Sequence, residues 1–586
     1  MRHVTPESLH EKLPLVSPEG YVLTADARID NREDLLSQFG FNGRPPAGIA
    51  DSELILCAYR KWGEDCPDKL IGDFAFAIWD PRERKIFCAR DPMGIKPFYY
   101  HHSSKGFCFG SNIRSILANQ DVSRKLDEVK IAYDLSGIYN DTIRTLYREI
   151  SRLPGGHCLT VNAHHFRKRL YWDPDVSREI HYRSNREYAE AFREIFVEAV
   201  RCRLRCVHPV GSMLSGGIDS SSITCAARNI MQKKGGPSFH SFSAIFPDAA
   251  LLDPRIDERK YIQAVTSGNS LVHHDVQADQ TNPFLEFLWN SEEMISFPNS
   301  YLEWLLYRAA RENGVGVLLS GVDGDTVVTH GYDLLSELFR KGRWLKLCHE
   351  TKALSKQVNW PAWSIFKFYA LKPAIPDVIK DLWRGLHGRK KPGWTDGKII
   401  NKNFADRIGL ENHLKDILES AAKPANSFKE AHKLDIMSGF FTNAVESTRM
   451  IADKASLEIG FPFFDRRLID FCLRLPLSQK LQNGLERFIL RQAMADVLPP
   501  LIKHRPYKGN LSASFNLSLM KHEEKNIERL IGNRQHGVFN YVDHGKLSKD
   551  FEIYRHNPLK SDREALNIFC AIILSSWLDG NLILGE

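Results

Sequence analysis

No stretch of this 586-residue chain approaches the roughly 20 consecutive apolar residues that a membrane-spanning helix requires. Its start, MRHVTPESLHEKL, lacks the apolar centre of a secretion signal, so the expected compartment is the cytosol, with no transmembrane segment. Cysteine is scarce, 11 residues with no CxxC pair, which argues against a disulfide framework and against a structural zinc knuckle. Cys202 and Cys206, four apart in a helix-like stretch, read as buried thiols in preference to metal ligands. Internal repeats and low-complexity tracts are also missing. The 43% hydrophobic and 26% charged shares are globular, which excludes a mainly disordered or fibrous chain. At about 100 to 200 residues per domain the length implies at least two cores.

The net charge of +7 is unevenly spread. From Arg340 to Ile400 there are 14 Lys/Arg against 4 Asp/Glu, so this one stretch carries more than the whole excess. It also holds Trp344, Trp360, Trp363, Trp383 and Trp394, and WSIFKFYALKP at helical spacing. Interleaved cations and aromatics suit nucleic acid, a membrane surface or a peptide groove. A solvated helical face over a tryptophan core is the plainer reading.

Between Tyr21 and Leu117 the runs YVLTADARI, DFAFAIWD, KIFCAR, FYYHH and FCFGS predict strands separated by turn signals, with a helix over Asp51–Trp62. That pattern predicts an α+β sandwich. A polar stretch from Tyr171 to Arg183 marks a boundary, giving domains at 1–172 and 184–586. Beyond it strand and helix alternate: VGSML, SSSITCAARNIMQKK, SFHSFSAIF, ERKYIQAVTSG and VGVLLSG. The alternation predicts an α/β doubly wound parallel sheet, with ligands at the carboxyl ends of its strands. Helical additions follow, the basic segment among them at about 333–430.

Ser215-Gly216-Gly217-Ile218-Asp219-Ser220-Ser221 joins a strand to a helix. Two glycines let the backbone approach an anion, and the helix start offers N–H donors and a positive dipole end. A serine-capped turn is the plainer alternative. About a hundred residues on, Ser320-Gly321-Val322-Asp323-Gly324-Asp325 ends a second strand. In a parallel sheet both turns open on one edge, where Asp219 and Asp325 would hold one Mg²⁺ against a pyrophosphate group, unless both merely form Asx turns.

The SGGIDSS loop resembles the pyrophosphate loop of N-type ATP pyrophosphatases. The whole chain resembles the asparagine synthetase family, which includes β-lactam synthetases and lasso peptide cyclases, through DARIDNREDL, GDFAFAIWD, ARDPMGIKPFYY, EIGFPFFDRRLIDF and ERFILRQAM in the family's order. The resemblance implies ATP and Mg²⁺ as cofactors. It implies activation of a carboxylate as acyl-adenylate, release of pyrophosphate and transfer to an amine. By position, Leu214, Ser215, Gly216, Gly217, Asp219 and Ser220 would wrap the phosphates. Ala244 would meet the adenine, Ser320 and Gly321 would contact the nucleotide, and Asp219 and Asp325 would ligate the metal. Lys508 resembles the family's active-site lysine, a stabiliser of anionic charge; a surface lysine in a basic loop is the alternative.

The amino-terminal domain resembles a degenerate class II glutaminase. Those enzymes use an N-terminal cysteine, whereas Arg2 stands here, and the chain starts dozens of residues late relative to them. Their oxyanion-binding Asn-Gly is replaced by Asp26-Ala27, although Asp51, matching the residue that binds the glutamine amine, persists. No glutamine hydrolysis is expected.

Val322 stands where asparagine synthetases resemble one another in carrying a glutamate and β-lactam synthetases a tyrosine. An α-amine with pKa near 7.7 to 8.0 is already about 10 to 15% neutral at pH 7, while a lysine-like amine is neutral well below about 0.1%. A peptide N-terminus therefore needs less help from a base. The segment GVDGDTVVTHG most resembles lasso peptide cyclases, which join a core peptide's N-terminal amine to an Asp or Glu side chain. That resemblance implies a ribosomal precursor peptide as substrate, a leader protease and a peptide-recognition protein as partners, and no nucleic acid. His330 would orient substrate or shuttle a proton, unless it is plain polar surface. The alternatives are a small-amino-acid amide ligase without glutaminase activity, like asparagine or β-lactam synthetases, and a non-catalytic scaffold.

Overall fold

The computed structural model describes residues 4–583 apart from 42–43, 234, 236–238, 268–270, 280, 283–292, 295–296, 377–378, 380–396, 422–426 and 506–511. The amino-terminal third carries strands β1 (Leu15–Val16), β2 (Val22–Ile29), β3 (Gly72–Asp80), β4 (Lys85–Arg90), β5 (Tyr99–Ser103), β6 (Gly106–Gly110), β7 (Ser151–Arg152), β8 (His157–Val161) and β9 (Phe166–Leu170). They form one sheet in the order β1-β2-β3-β4-β8-β9 and a smaller one in the order β6-β5-β7.

Alternation along β3 explains the layering. Phe74, Phe76 and Ile78 point to one face, where they bury against Leu54, Ile55 and Ala58 of helix α1 (Asp51–Trp62). Ala75 and Ala77 point the other way, and their small side chains admit Phe98 and Tyr100 of the second sheet. The expected α+β sandwich is present. Strands β8 and β9 were not foreseen from the sequence. β9 reads FRKRL because it is a mostly exposed edge strand, where charge guards against pairing with another chain.

The remainder is built on α2 (Asn185–Arg203), β10 (Val210–Met213), α3 (Ile218–Lys233), β11 (Phe239–Ile245), α4 (Arg259–Thr266), β12 (Leu271–Gln277), α5 (Ser300–Glu312) and β13 (Val317–Leu319). A late strand, β14 (Glu458–Gly460), completes a five-stranded sheet in the order β12-β11-β10-β13-β14, parallel throughout. The chain winds outward from β10 to β12, then returns to β13. The crevice beyond the ends of β10 and β13 is thus the switch point where α/β sheets bind ligands.

Helices α6 (Asp333–Arg340) and α7 (Trp344–Val358) pack Leu334, Leu335, Leu338, Leu347 and Leu354 into a satellite core with Ile365. Among the described residues the tryptophans do not form the expected core there: Trp344 is 53% and Trp363 67% exposed. Within WSIFKFYALKP the α-helix covers only Ala362–Ile365 and widens into a π-helix over Phe366–Leu371. Trp383 and Trp394 lie outside the described residues.

The boundary near residue 172 is not a boundary in packing. The largest apolar cluster joins Ile95, Tyr99 and Leu146 to Phe441 and Val445 of helix α8 (Gly439–Lys454) and to Trp577. Buried ion pairs cross the same seam. Glu446 takes Arg90 at 3.0 Å and Arg152 at 2.7 Å, and Glu458 takes Lys96 and Arg449 at 2.7 Å each.

Candidate active site

Leu214 extends β10 by one backbone bond, its N–H donating to Phe242 O at 2.8 Å. The chain then turns through Ser215, Gly216 and Gly217 into α3. Gly216 has φ +70°, and a Cβ there would lie 2.7 Å from Tyr261 Cβ, so only glycine fits. The Ser220 hydroxyl closes the turn by accepting from Ser215 N–H at 3.2 Å and donating to Gly217 O at 3.3 Å.

The turn after β13 packs directly on this loop. A Cβ on Gly321 would sit 2.9 Å from Ser220 N, and one on Gly324 2.9 Å from Asp219 Cγ. Glycine at these two places brings Asp219 against the 323–325 turn. Together the two turns open on a cavity of about 270 Å³. Its lining includes the apolar Met213, Phe242, Ala244 and Phe246, which suit a flat base, then Leu302 and Leu306, and the cations Arg487, Arg491 and Arg505. Leu214, Ser215, Gly217, Asp219, Ser220, Ser320 and Gly321 all line it, as does Val322.

Charge at the cavity is arranged around too many carboxylates. Asp219 pairs with Arg487 at 2.5 Å. Asp323 has a buried Oδ2 without a hydrogen-bond partner, and burial, then the charges of Asp325 and Asp219, push its carboxyl up to about 7. Asp325 is exposed and lies 3.9 Å from His330 Nε2. An oxygen-rich site with surplus negative charge fits a hard divalent cation. Among the described residues no three His, Cys, Asp or Glu side chains already form a metal cage. A Mg²⁺ held by Asp219 and Asp325 would take its other ligands from phosphate oxygens and water, its usual habit.

His330 is more than polar surface. Its Nδ1 meets Glu486 at 2.6 Å, and Tyr332 donates its hydroxyl to the same carboxylate. Burial opposes ionisation of Glu486, yet the bond and charge of His330 hold it below the usual carboxylate range. Lys508 lies outside the described residues. Just before it, Arg505 donates to Gly216 O at 2.8 Å and is held by Glu258.

Six contributors escaped the sequence reading: Arg487, Arg491, Arg505, Glu258, Glu303 and Glu486. Arg487 caps the helix Phe488–Ala493 in a left-handed conformation, φ +50°, and Arg491 lies within that helix. Nothing local marks Glu258 or Glu303, which arrive from α4's entrance and from α5.

An aromatic series leads outward from His330. Its ring stacks on Tyr332 at 5.4 Å, Tyr332 meets Tyr369 at 4.4 Å, Tyr369 meets Trp360 at 6.1 Å, and Trp360 stacks on Phe368 at 5.5 Å. Lys372 sits over the Phe368 ring. From Lys341 to Pro376 the one acid is Glu350, and it is buried.

In the amino-terminal domain, Asp51 is buried and fully engaged. Arg32 binds one oxygen, and Ile29 N–H and Arg205 each bind the other at 3.0 Å. Asp26 pairs with Lys96 at 2.8 Å and lies 3.5 Å from Arg449. Asp51, the residue that persists from the glutaminase pattern, and Asp26, which replaces its Asn, are thus each paired with an arginine of the other half.

A profile of the asparagine synthase family matches residues 191–579, and one of the glutamine amidotransferase domain matches 8–172. Glutamine-hydrolyzing asparagine synthetase 3 of Bacillus subtilis is 26% identical over 521 residues, covering 85% of this chain and 78% of that protein. A putative glutamine-hydrolyzing asparagine synthetase of Methanocaldococcus jannaschii is 28% identical over 339 residues, covering 56% and 62%. The amidase chyE of Penicillium rubens is 26% identical over 500 residues, covering 79% and 72%.

Proposed function

The chain belongs to the asparagine synthase family and is an ATP-dependent amide-forming ligase; we propose that its reaction is the macrolactam closure of a lasso peptide. An Asp or Glu side chain of a precursor peptide is adenylated, and the peptide's N-terminal amine then displaces AMP. The observation that carries this reading is the aromatic series from His330 out to Phe368, whose outer members lie in a basic stretch where the one acid, Glu350, is buried. A small amino acid needs no such wall, whereas an extended peptide does.

The residues divide the work. The Ser215–Ser220 loop and α3's start would hold the phosphates. Arg487, Arg491 and Arg505 would balance the pyrophosphate as it leaves, and Lys508 would stabilise the charge developing on the acyl phosphate. The apolar lining around Phe242 and Ala244 would take the adenine. Asp219 and Asp325 would hold Mg²⁺, which supplies neutralisation of phosphate charge. Glu486 would fix His330 beside Asp325, at the mouth where the aromatic series begins.

The deciding experiment gives the linear precursor, Mg-ATP, the leader protease and the peptide-recognition protein to this enzyme. The peptide should lose the mass of one water, with AMP and pyrophosphate as the nucleotide products. Acetylating the precursor's N-terminus should stop that loss. The names of the relatives favour a second reading, synthesis of a small amide. Conversion of aspartate and ammonia to asparagine at a comparable rate would establish it in place of the cyclase.

A further inference from the structure

Glu303 is an acid in the cavity wall without the cation or backbone support that holds Glu446, Glu458, Asp465 and Asp91. Glu446 is clamped by Arg90 and Arg152, Glu458 by Lys96 and Arg449, and Asp465 by Arg203 and Arg467. Asp91 has no cation but accepts from the backbone N–H groups of Met93, Ile95 and Lys96. Glu303 has neither arrangement among the described residues. Its two oxygens share one hydroxyl, that of Thr448 on α8, at 3.1 and 3.2 Å.

Its place in the fold is equally particular. α5 directs Glu303 into the cavity between Leu302 and Leu306, and the same cavity is bounded by Ser320, Gly321 and Val322 of the β13 turn. The titratable groups whose charge or burial bears on it are Tyr307, one turn along α5, and Asp323 of the β13 turn; α8 gives it the Thr448 hydroxyl. None of these is a cation. A carboxylate left unpaired in a cleft, half-buried but open to the ligand space, is a proton acceptor awaiting a donor.

We propose that Glu303 is the general base of the amide-forming step. The inference rests on the adenylation reading above and holds for any amine acceptor. The amine enters neutral, having left its ammonium proton to solvent. Its nitrogen lone pair bonds to the acyl carbon of the adenylate, and one N–H proton passes to a Glu303 oxygen. The bond from acyl carbon to the AMP oxygen breaks, AMP leaves with the electron pair, and Glu303 returns its proton to water. Val322 has no group to take that proton, and Glu303 supplies one from a different element. Burial, opposed by the Thr448 bond and reinforced by Asp323, pushes the Glu303 carboxyl up to about 7, close to where a base is most effective at neutral pH.

The test separates adenylation from aminolysis in the full-length enzyme. Glu303→Gln keeps the size of the side chain and a partner for Thr448 but accepts no proton. Peptide-dependent exchange of pyrophosphate into ATP should continue in this variant within about twofold of wild type. Amide formation should fall by about a hundredfold or more, the usual contribution of a general base. Hydroxylamine, whose weakly basic nitrogen becomes acidic enough on bonding to the acyl carbon to lose its proton directly to water, should still form hydroxamate at a near wild-type rate. Glu303→Asp, which keeps a carboxylate on a shorter stem, should recover part of the amide rate. Undiminished amide formation in Glu303→Gln overturns the inference. So does parallel loss of exchange, hydroxamate and amide in both variants, which would make Glu303 a packing residue. Absence of exchange in the wild type is a different failure, because it removes the adenylation reading itself and this inference with it.

Discussion

Asp219 shows how one side chain can be fixed by several constraints and still be chemically exposed. It is carried on the first turn of α3, pressed by Gly324, and balanced by Arg487. Little apolar surface depends on it, so Asp219→Ala should abolish AMP formation while the thermal unfolding curve stays within about a degree of wild type; unchanged turnover would remove it from the site. Chelation of Mg²⁺ should have the same effect and be reversed by adding the ion back. Asp465 is a contrasting case, since it works for stability. Burial opposes its ionisation, but Arg467 and Arg203 outweigh that and hold it down at about 2, against about 3.9 unfolded. A depressed carboxyl stabilises the fold above its unfolded pKa and loses that contribution as pH falls through the folded one. Its share, about 2 to 3 kcal/mol, is therefore intact above about pH 5 and gone by about pH 1. Urea titrations at pH 7 and pH 3 should show the wild type losing more stability than Asp465→Asn.

At the level of elements, the aromatic series makes a prediction specific to a long substrate. Trp360→Ala and Tyr369→Ala remove contacts beyond the reacting centre, so the peptide's KM should rise about tenfold with kcat changed less than twofold; the KM for ATP should not move. A peptide KM unchanged in both variants would take the groove away. This series was not legible in the sequence. The tryptophans were, but their exposure depends on α6 and α7 burying leucines, and on the π-helical turn that rotates Phe368 and Tyr369 relative to an α-helix. What the sequence did disclose were elements whose local and tertiary preferences agree. The Asp51–Trp62 helix, the β3 alternation and the glycine turn after β10 are of that kind. β14 escaped because three residues buried on both faces carry no period, and the pairing of β10 with β13 reaches across about a hundred residues. Asp219 and Asp325, the aspartates proposed to hold the metal, were noticed in the sequence because glycine turns flank them. Glu258, Glu303 and Glu486 were not, since each lies on an ordinary segment and becomes part of the site only through tertiary placement.

Across the whole molecule, charge holds the two halves in register. Arg152 reaches both Glu293 at 3.0 Å and Glu446 at 2.7 Å, fully buried between them. Arg152→Met should cost about 3 to 5 kcal/mol by urea unfolding, because it strands two acids away from water. The same joining accounts for the expected silence of the amino-terminal domain. With Asp51 bound by Arg32 and Arg205, and Asp26 bound to Lys96, glutamate release from glutamine should not exceed background, and release above it would reopen the ammonia route. A scaffold that only binds partners would gain nothing from Mg-ATP. The intact nucleotide cavity predicts instead a stabilisation of about 2.7 kcal/mol at a hundredfold excess over Kd.

The exchange of partners at Asp51 and Asp26 also bears on how the enzyme can be cut. Where a pocket has become a socket, its occupant cannot be withdrawn without leaving a wound. Arg205 plugs into Asp51, a carboxylate that the first 172 residues supply, and Arg449 adds Asp26 to its own-half partner Glu458. A synthetase half produced alone would present those arginines, together with the bare face of Phe441 and Val445, to solvent, and would precipitate in place of simply losing an idle appendage.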